Sequence, residues 1–132
     1  MKSVFADTSF FVAFLSTSEP YHAKAVEGLH SFSHIVTTNL IVIELGNFLC
    51  RSKLRTEFVP LVRELKNNPR VDIVYCGDEL TDTGLDLYHD RPDKSWSITD
   101  CISFVVMRQM KLTTALTADH HFEQAGFSIR LS

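Results

Sequence analysis

The sequence predicts an α/β fold, a three-layer sandwich in which helices flank a central, mostly parallel five-stranded sheet. Two observations carry that prediction. Short apolar or β-branched runs alternate with longer segments of helical period, the pattern of parallel strands joined by crossover helices. Apolar residues make up 45% of the 132-residue chain and include ten Phe, bulk enough for one core without disulfide staples. No repeat, low-complexity tract or linker interrupts the pattern, so a single domain over 1–132 is expected.

From the N-terminus, SVFA (3–6) reads as a short buried strand, and TSFFVAFL (8–15) as a helix with Asp7 at its cap position. Pro20 suits the first position of a helix over 20–30, where its missing N–H would be unpaired anyway. Ile35, Val36 and Thr37 form the second strand. Residues 39–53 place apolar side chains at 40, 41, 43, 45, 48 and 49, which by length and period is a largely buried helix. A helix follows over 57–67 with Pro60 in its first turn, and Pro69 breaks the chain. VDIVY (71–75) alternates like a strand, and Asp72 within it points to a sheet edge. Residues 78–88 read as a helix and HDRPDKSW (89–96) as a loop. The stretch 97–100 (SITD) has capping-box spacing and opens a helix over 98–109. TTALTA (113–118) is a β-branched strand. Asp119 caps a short helix over 120–125, Gly126 suits its C′ position, and FSIRL (127–131) is the last strand.

In open parallel sheets, ligands bind beyond the carboxyl ends of the strands. Four acids from distant segments fall at that edge: Asp7 after the first strand, Glu44 in the helix after the second, Asp100 in the first turn of its helix, and Asp119 after the strand 113–118. Carboxylates brought close repel, and a hard divalent cation removes the conflict. Such a site holds Mg2+ or Mn2+, lowers the pKa of a bound water and orients it toward phosphorus without a nucleophilic side chain. Each acid also has a purely structural reading. Asp7 and Asp119 suit helix caps, and Asp100 suits a capping-box partner to Ser97. Glu44, inside the apolar segment LIVIELGNFL, reads as a buried acid that needs a cation, or else a salt bridge to Arg51 or Arg108. The coincidence of all four favours the functional reading.

At these residues the sequence resembles the PIN-domain family, particularly the toxin ribonucleases called VapC. The resemblance rests on FADTSFFVA with Asp7, TTNLIVIELGNFL with Glu44, SITDCISFVVM with Asp100 and LTADHHFEQAGF with Asp119, and it spans nearly the whole chain. It implies a PIN-like sheet flanked by helices and a metal-dependent endoribonuclease that leaves 5′-phosphate and 3′-hydroxyl ends. Asp7, Glu44, Asp100 and Asp119 match the family's acidic quartet, as catalytic residues and metal ligands; Ser9 matches a hydroxyl that supports the first Asp, and Asn47 is a further donor one turn after Glu44. An RNA substrate, a small antitoxin that masks the site, and a homodimer built on the apolar helices at 40–49 and 58–65 follow from the same resemblance. Members of this kind often carry another acid just before the third motif; here the chain reads Asp93-Lys94-Ser95, and Asp93 is taken as a loop residue. Family members include toxins and RNA-processing proteins, and the resemblance does not choose between them. One alternative is a non-catalytic RNA- or partner-binding module on the same fold. Another is a phosphatase-like hydrolase with Asp7 as nucleophile, which the Ser at position 9 disfavours, since such enzymes usually carry a second Asp there.

The remaining features have plainer readings. His120 and His121 stand about 100° apart on a helix, so both rarely bind one ion; they read as surface residues, one of them within reach of a phosphate at the rim. Arg51, Lys53 and Arg55 suit a solvated helix end, with RNA backbone contact as the alternative. Trp96 and Tyr88 flank the loop before Asp100 and either pack or stack on a base. Cys50, Cys76 and Cys101 include no CxxC pair and read as reduced thiols. The net charge of −3 argues weakly against a simple nucleic-acid binder, although an acidic metal site escapes that expectation. The absence of a P-loop and of GxGxxG disfavours nucleotide-cofactor chemistry. Asp7 splits the N-terminal apolar stretch, leaving it too short for a signal peptide, and no run suffices to cross a bilayer, so a cytoplasmic location without membrane contact is expected.

Overall fold

The computed structural model describes residues 2–131. Five strands, β1 (Ser3–Ala6), β2 (His34–Thr38), β3 (Val71–Val74), β4 (Thr114–Leu116) and β5 (Ser128–Ile129), form one sheet in the order β3-β2-β1-β4-β5. Every pairing is parallel: Phe5 lies opposite Val36 on one side and Ala115 on the other, and Thr38 lies opposite Val74. The central strands are buried on both faces, with Val4, Phe5, Ala6, Val36, Ala115 and Leu116 wholly inaccessible, as a sheet covered by helices requires. β3 is an edge strand, as Asp72 foretold; its Asp72 is exposed and meets His34 at 3.5 Å.

Seven helices connect and cover the sheet: α1 (Thr8–Leu15), α2 (His22–Ser31), α3 (Asn39–Leu49), α4 (Arg55–Asn67), α5 (Asp78–Asp90), α6 (Ile98–Gln109) and α7 (His120–Gln124). The expected helices at 8–15 and 98–109 have the expected bounds. α6 is the most buried, with every residue from Cys101 to Met107 inaccessible or nearly so. The α5–α6 contact depends on Gly84, because a Cβ there would lie 2.4 Å from Ile102 Cγ1. Gly126, at φ 99°, ends α7 with the two backbone bonds of a Schellman motif, Gly126 N–H to Glu123 O and Phe127 N–H to Phe122 O.

Several local expectations change. α2 begins two residues after Pro20, which sits in the preceding turn. Pro60 lies in the interior of α4 and not in its first turn, because the helix starts already at Arg55. α5 runs through Asp90, shortening the predicted loop. α3 is not largely buried: Ile41, Leu45 and Leu49 are fully buried, one stripe at four-residue spacing, with Leu40 partly buried beside them, while Ile43 and Phe48 are exposed. Trp96 is buried, edge-on to Phe104, and its Nε1–H donates to Gln124 Oε1 at 3.0 Å, so it packs and offers no stacking face. No helix of the described residues is long and apolar enough to cross a membrane.

Candidate active site

The strand order makes the site. The chain leaves β1 toward β2 and β3, then returns to the other side of β1 for β4 and β5. The connections after β1 and β4 therefore diverge, and their carboxyl ends form the switch point at which open α/β sheets hold a ligand crevice. Asp7 follows β1 directly, and Thr117 and Asp119 follow β4. The backbone ties the two segments together there, with Asp7 N–H bonded to Leu116 O at 3.3 Å.

Asp7 is the floor of the crevice. It stands at the cap position of α1, but its side chain makes no cap bond. Its carboxylate instead accepts the Thr117 hydroxyl at 3.0 Å. Thr117, wholly buried, is the hub of the floor. Its one proton goes to Asp7, and its oxygen accepts the Asp119 N–H at 3.0 Å and lies 3.1 Å from the Ser9 hydroxyl. With Thr117's proton committed, Ser9 is the donor of that pair, and Ser9 in turn accepts the Ala118 N–H at 3.3 Å. Ser9 is thus linked to Asp7 through Thr117, one bond removed from direct contact.

Asp100 and Asp119 approach from two helix starts. Asp100 completes a reciprocal capping box: Ser97 Oγ accepts the Asp100 N–H at 3.0 Å, and Asp100 Oδ2 accepts the Ser97 N–H at 3.1 Å. Asp119 caps α7, its Oδ1 accepting the His121 N–H at 2.9 Å. The structural and site readings of these two acids are therefore compatible, since the cap bonds aim the carboxylates. His121 Nδ1 lies 3.0 Å from Asp100 Oδ2 and 3.5 Å from Asp119 Oδ1. One donor atom from each of Asp100, Asp119 and His121 falls within 4.8 Å of the others. Among the described residues, His121 is the only ion-pair partner of either acid.

Glu44 corrects the expectation of a buried acid. It is exposed on α3, and it reaches neither Arg51 nor Arg108; Arg108 turns to Ala125 O. Glu44 Oε1 instead accepts a short hydrogen bond from the Thr8 hydroxyl, which binds it to the residue beside Asp7. Burial pushes the Asp7 carboxyl up from 3.8 to about 7; the Thr8 N–H and the Thr117 hydroxyl oppose the rise, and the Asp100 and Glu44 carboxylates add to it. That response places Glu44 and Asp100 within electrostatic reach of Asp7, while Asp119 joins through Thr117. The donor set of hard carboxylate oxygens, with no Lys or Arg paired to them among the described residues, fits a hard divalent cation.

Other sequence candidates fall elsewhere. His120 points away and pairs with exposed Glu123 at 2.7 Å, so the two adjacent histidines divide between surface and site. Asp93 is held by the Arg91 guanidinium through two bonds of 3.0 Å, which keeps its carboxyl below the usual range, and it remains a loop residue. Arg55 Nη1 donates to Cys50 O at 2.9 Å, closing the turn between α3 and α4. Cys76 and Cys101 are buried free thiols, pushed up by that burial, and Cys50 is exposed. Sequence reading missed Thr8 and Thr117, and it took His121 as a surface residue with at most a phosphate contact at the rim. The available signal was a hydroxyl at the end of each strand that carries an acid.

A family model of the PIN domain matches residues 4–128. No curated protein matches the chain by sequence. Among solved structures, VapC20 of Mycobacterium tuberculosis, a sarcin–ricin loop cleaving toxin, superposes with a TM-score of 0.86 at 23% identity, covering 94% of this chain and 95% of that one. FitAcB of Neisseria gonorrhoeae superposes with a TM-score of 0.69 at 17% identity, covering 96% of each chain. A toxin–antitoxin complex of Klebsiella pneumoniae gives 0.64 at 11% identity, covering 89% of this chain and 87% of that one.

Proposed function

Because the chain belongs to the PIN-domain family, we propose that it is a metal-dependent endoribonuclease whose catalytic and metal-binding residues are Asp7, Glu44, Asp100 and Asp119. The supporting observation is the convergence of acids at one sheet edge without Lys or Arg compensation, deep enough to push Asp7 up to about 7. Asp100 and Asp119 serve in part as helix caps, but the mutual repulsion of the cluster and the burial of Asp7 are costs that a bound cation would offset.

In this reading the four carboxylates hold Mg2+ or Mn2+, which when bound supplies Lewis acidity and a water of lowered pKa. The chain's own groups prepare the site. Thr117 fixes the Asp7 carboxylate and the backbone entering Asp119. The capping box fixes Asp100, and the Thr8 hydroxyl draws exposed Glu44 toward the crevice. Ser9 supports through Thr117.

The biological role we propose is that of a toxin paired with a small antitoxin protein that covers the crevice. It takes its support from the VapC20 toxin and from the Klebsiella toxin–antitoxin complex, both of the same fold. A homodimer through α3 and α4 is part of the proposal. Ile43 and Phe48 of α3 are 61% and 64% exposed, and Val59 of α4 is 49% exposed, apolar surface that a second copy would cover.

The test is cleavage of structured RNA, including rRNA fragments, with Mg2+ or Mn2+. Asp7→Asn and Asp100→Asn should each lower the rate by about a thousandfold, or ~4 kcal/mol, while His120→Ala leaves it unchanged. Equal cleavage by wild type and the two Asn variants, or none by wild type across diverse RNAs, would overturn the assignment.

A further inference from the structure

We propose that His121 is a nitrogen ligand of the cation in this crevice and tilts the site toward first-row transition ions over Mg2+. The inference rests on the metal-dependent reading above and adds a donor that the acidic quartet does not contain. Three observations carry it. The ring nitrogen facing the site, Nδ1, lies 3.0 Å from Asp100 Oδ2 and 3.5 Å from Asp119 Oδ1, so two carboxylates from two different helices converge on one imidazole atom. Neighbouring ligands on an octahedral ion with bonds of ~2.1 Å lie about 3.0 Å apart, so these separations suit atoms that share an ion. The ring is also anchored at its root, because the His121 N–H is the cap donor to Asp119 Oδ1 at 2.9 Å. A histidine that serves only the surface looks like its neighbour His120, which turns outward to Glu123.

The chemistry follows from the donor. Imidazole nitrogen is softer than carboxylate oxygen, and Mg2+ accepts it less readily than Mn2+, Co2+ or Zn2+. For Nδ1 to offer its lone pair, the ring must carry its proton on Nε2, and the Nδ1 hydrogen bond to Asp100 gives way to a shared ion. His121 is 30% exposed at the side chain, so the swap disturbs no core packing.

Mn2+ is the probe, added alone to the metal-free protein. Electron spin-echo modulation of bound Mn2+ should show nitrogen coupling from one imidazole in the wild type and in His120→Gln, and none in His121→Gln. Titration should show Mn2+ affinity falling by about tenfold or more in His121→Gln, with Mg2+ affinity changing by less than about threefold. Thermal melting of the variants establishes that they fold. Bound Mn2+ without nitrogen coupling in the wild type overturns this proposal and leaves the carboxylate site standing. Absence of any Mn2+ binding near millimolar overturns both.

Discussion

The floor and the rim of the crevice hold the same chemical group under opposite conditions. Asp7, on the floor, is 7% exposed, and its carboxyl is pushed up to about 7. Glu44, on the rim, is exposed and tied down by a single hydroxyl from Thr8. The floor is costly to the metal-free fold and rigidly held by Thr117; the rim costs the fold little and is free to adjust. In the metal site proposed above, that division would let the buried carboxylate fix the position of an ion and the exposed one accommodate a substrate.

The largest expected effect breaks the floor. A carboxyl whose folded value is raised from 3.8 to about 7 binds its proton more tightly in the native state than in the unfolded chain. Between about pH 4 and pH 7 the native state therefore carries more protons, and metal-free stability falls as pH rises through that window, then levels off. Asp7→Asn should remove this slope and stabilise the chelator-treated protein at pH 8, by on the order of 2–4 kcal/mol. Urea unfolding at pH 5 and pH 8 measures it; an unchanged slope would mean that Asp7 is not the strained group. Excess Mn2+ should stabilise the wild type and have little effect on the variant.

Next in size is Thr117→Val. It removes the donor to Asp7 and strands the Asp119 N–H, so a loss of about 1–3 kcal/mol in stability is expected, together with reduced cleavage. Ser9→Ala breaks the outer link of the same network and should cost about 0.5–1.5 kcal/mol. A loss from Ser9→Ala as great as that from Thr117→Val, measured by the same unfolding experiment, would move the hub from Thr117 to Ser9. Smallest is Glu44→Gln on the rim. Its stability should stay within ~0.5 kcal/mol of wild type, while RNA cleavage drops at least about tenfold. A large stability change there would erase the distinction between floor and rim.

Much of this arrangement was legible in the chain. Period and capping signals located α1 and α6 and the Gly126 stop, because those are local preferences of a few adjacent residues. Asp7, Asp100 and Asp119 stood out as site candidates because each follows a strand or opens a helix, and parallel strands put such positions at one edge; Glu44 stood out as an acid in an apolar helix. Glu44 misled, because the apolar residues around it suggest a helix buried all round, whereas α3 buries one stripe and presents the rest. Which side of a helix faces the core is decided by its neighbours.

The amino-acid order alone determined the alternation of elements, the short apolar and β-branched runs of the central strands and the acid at each candidate position, since these depend on short-range pattern. Only the tertiary structure decided that β4 pairs beside β1, and so brings the Thr117 hydroxyl across 110 positions of chain to the Asp7 carboxylate. It likewise turned His121 inward and His120 outward. The reason is physical: hydrogen bonding and desolvation act over a few ångströms of space, and only the folded sheet makes such distances out of long separations in sequence.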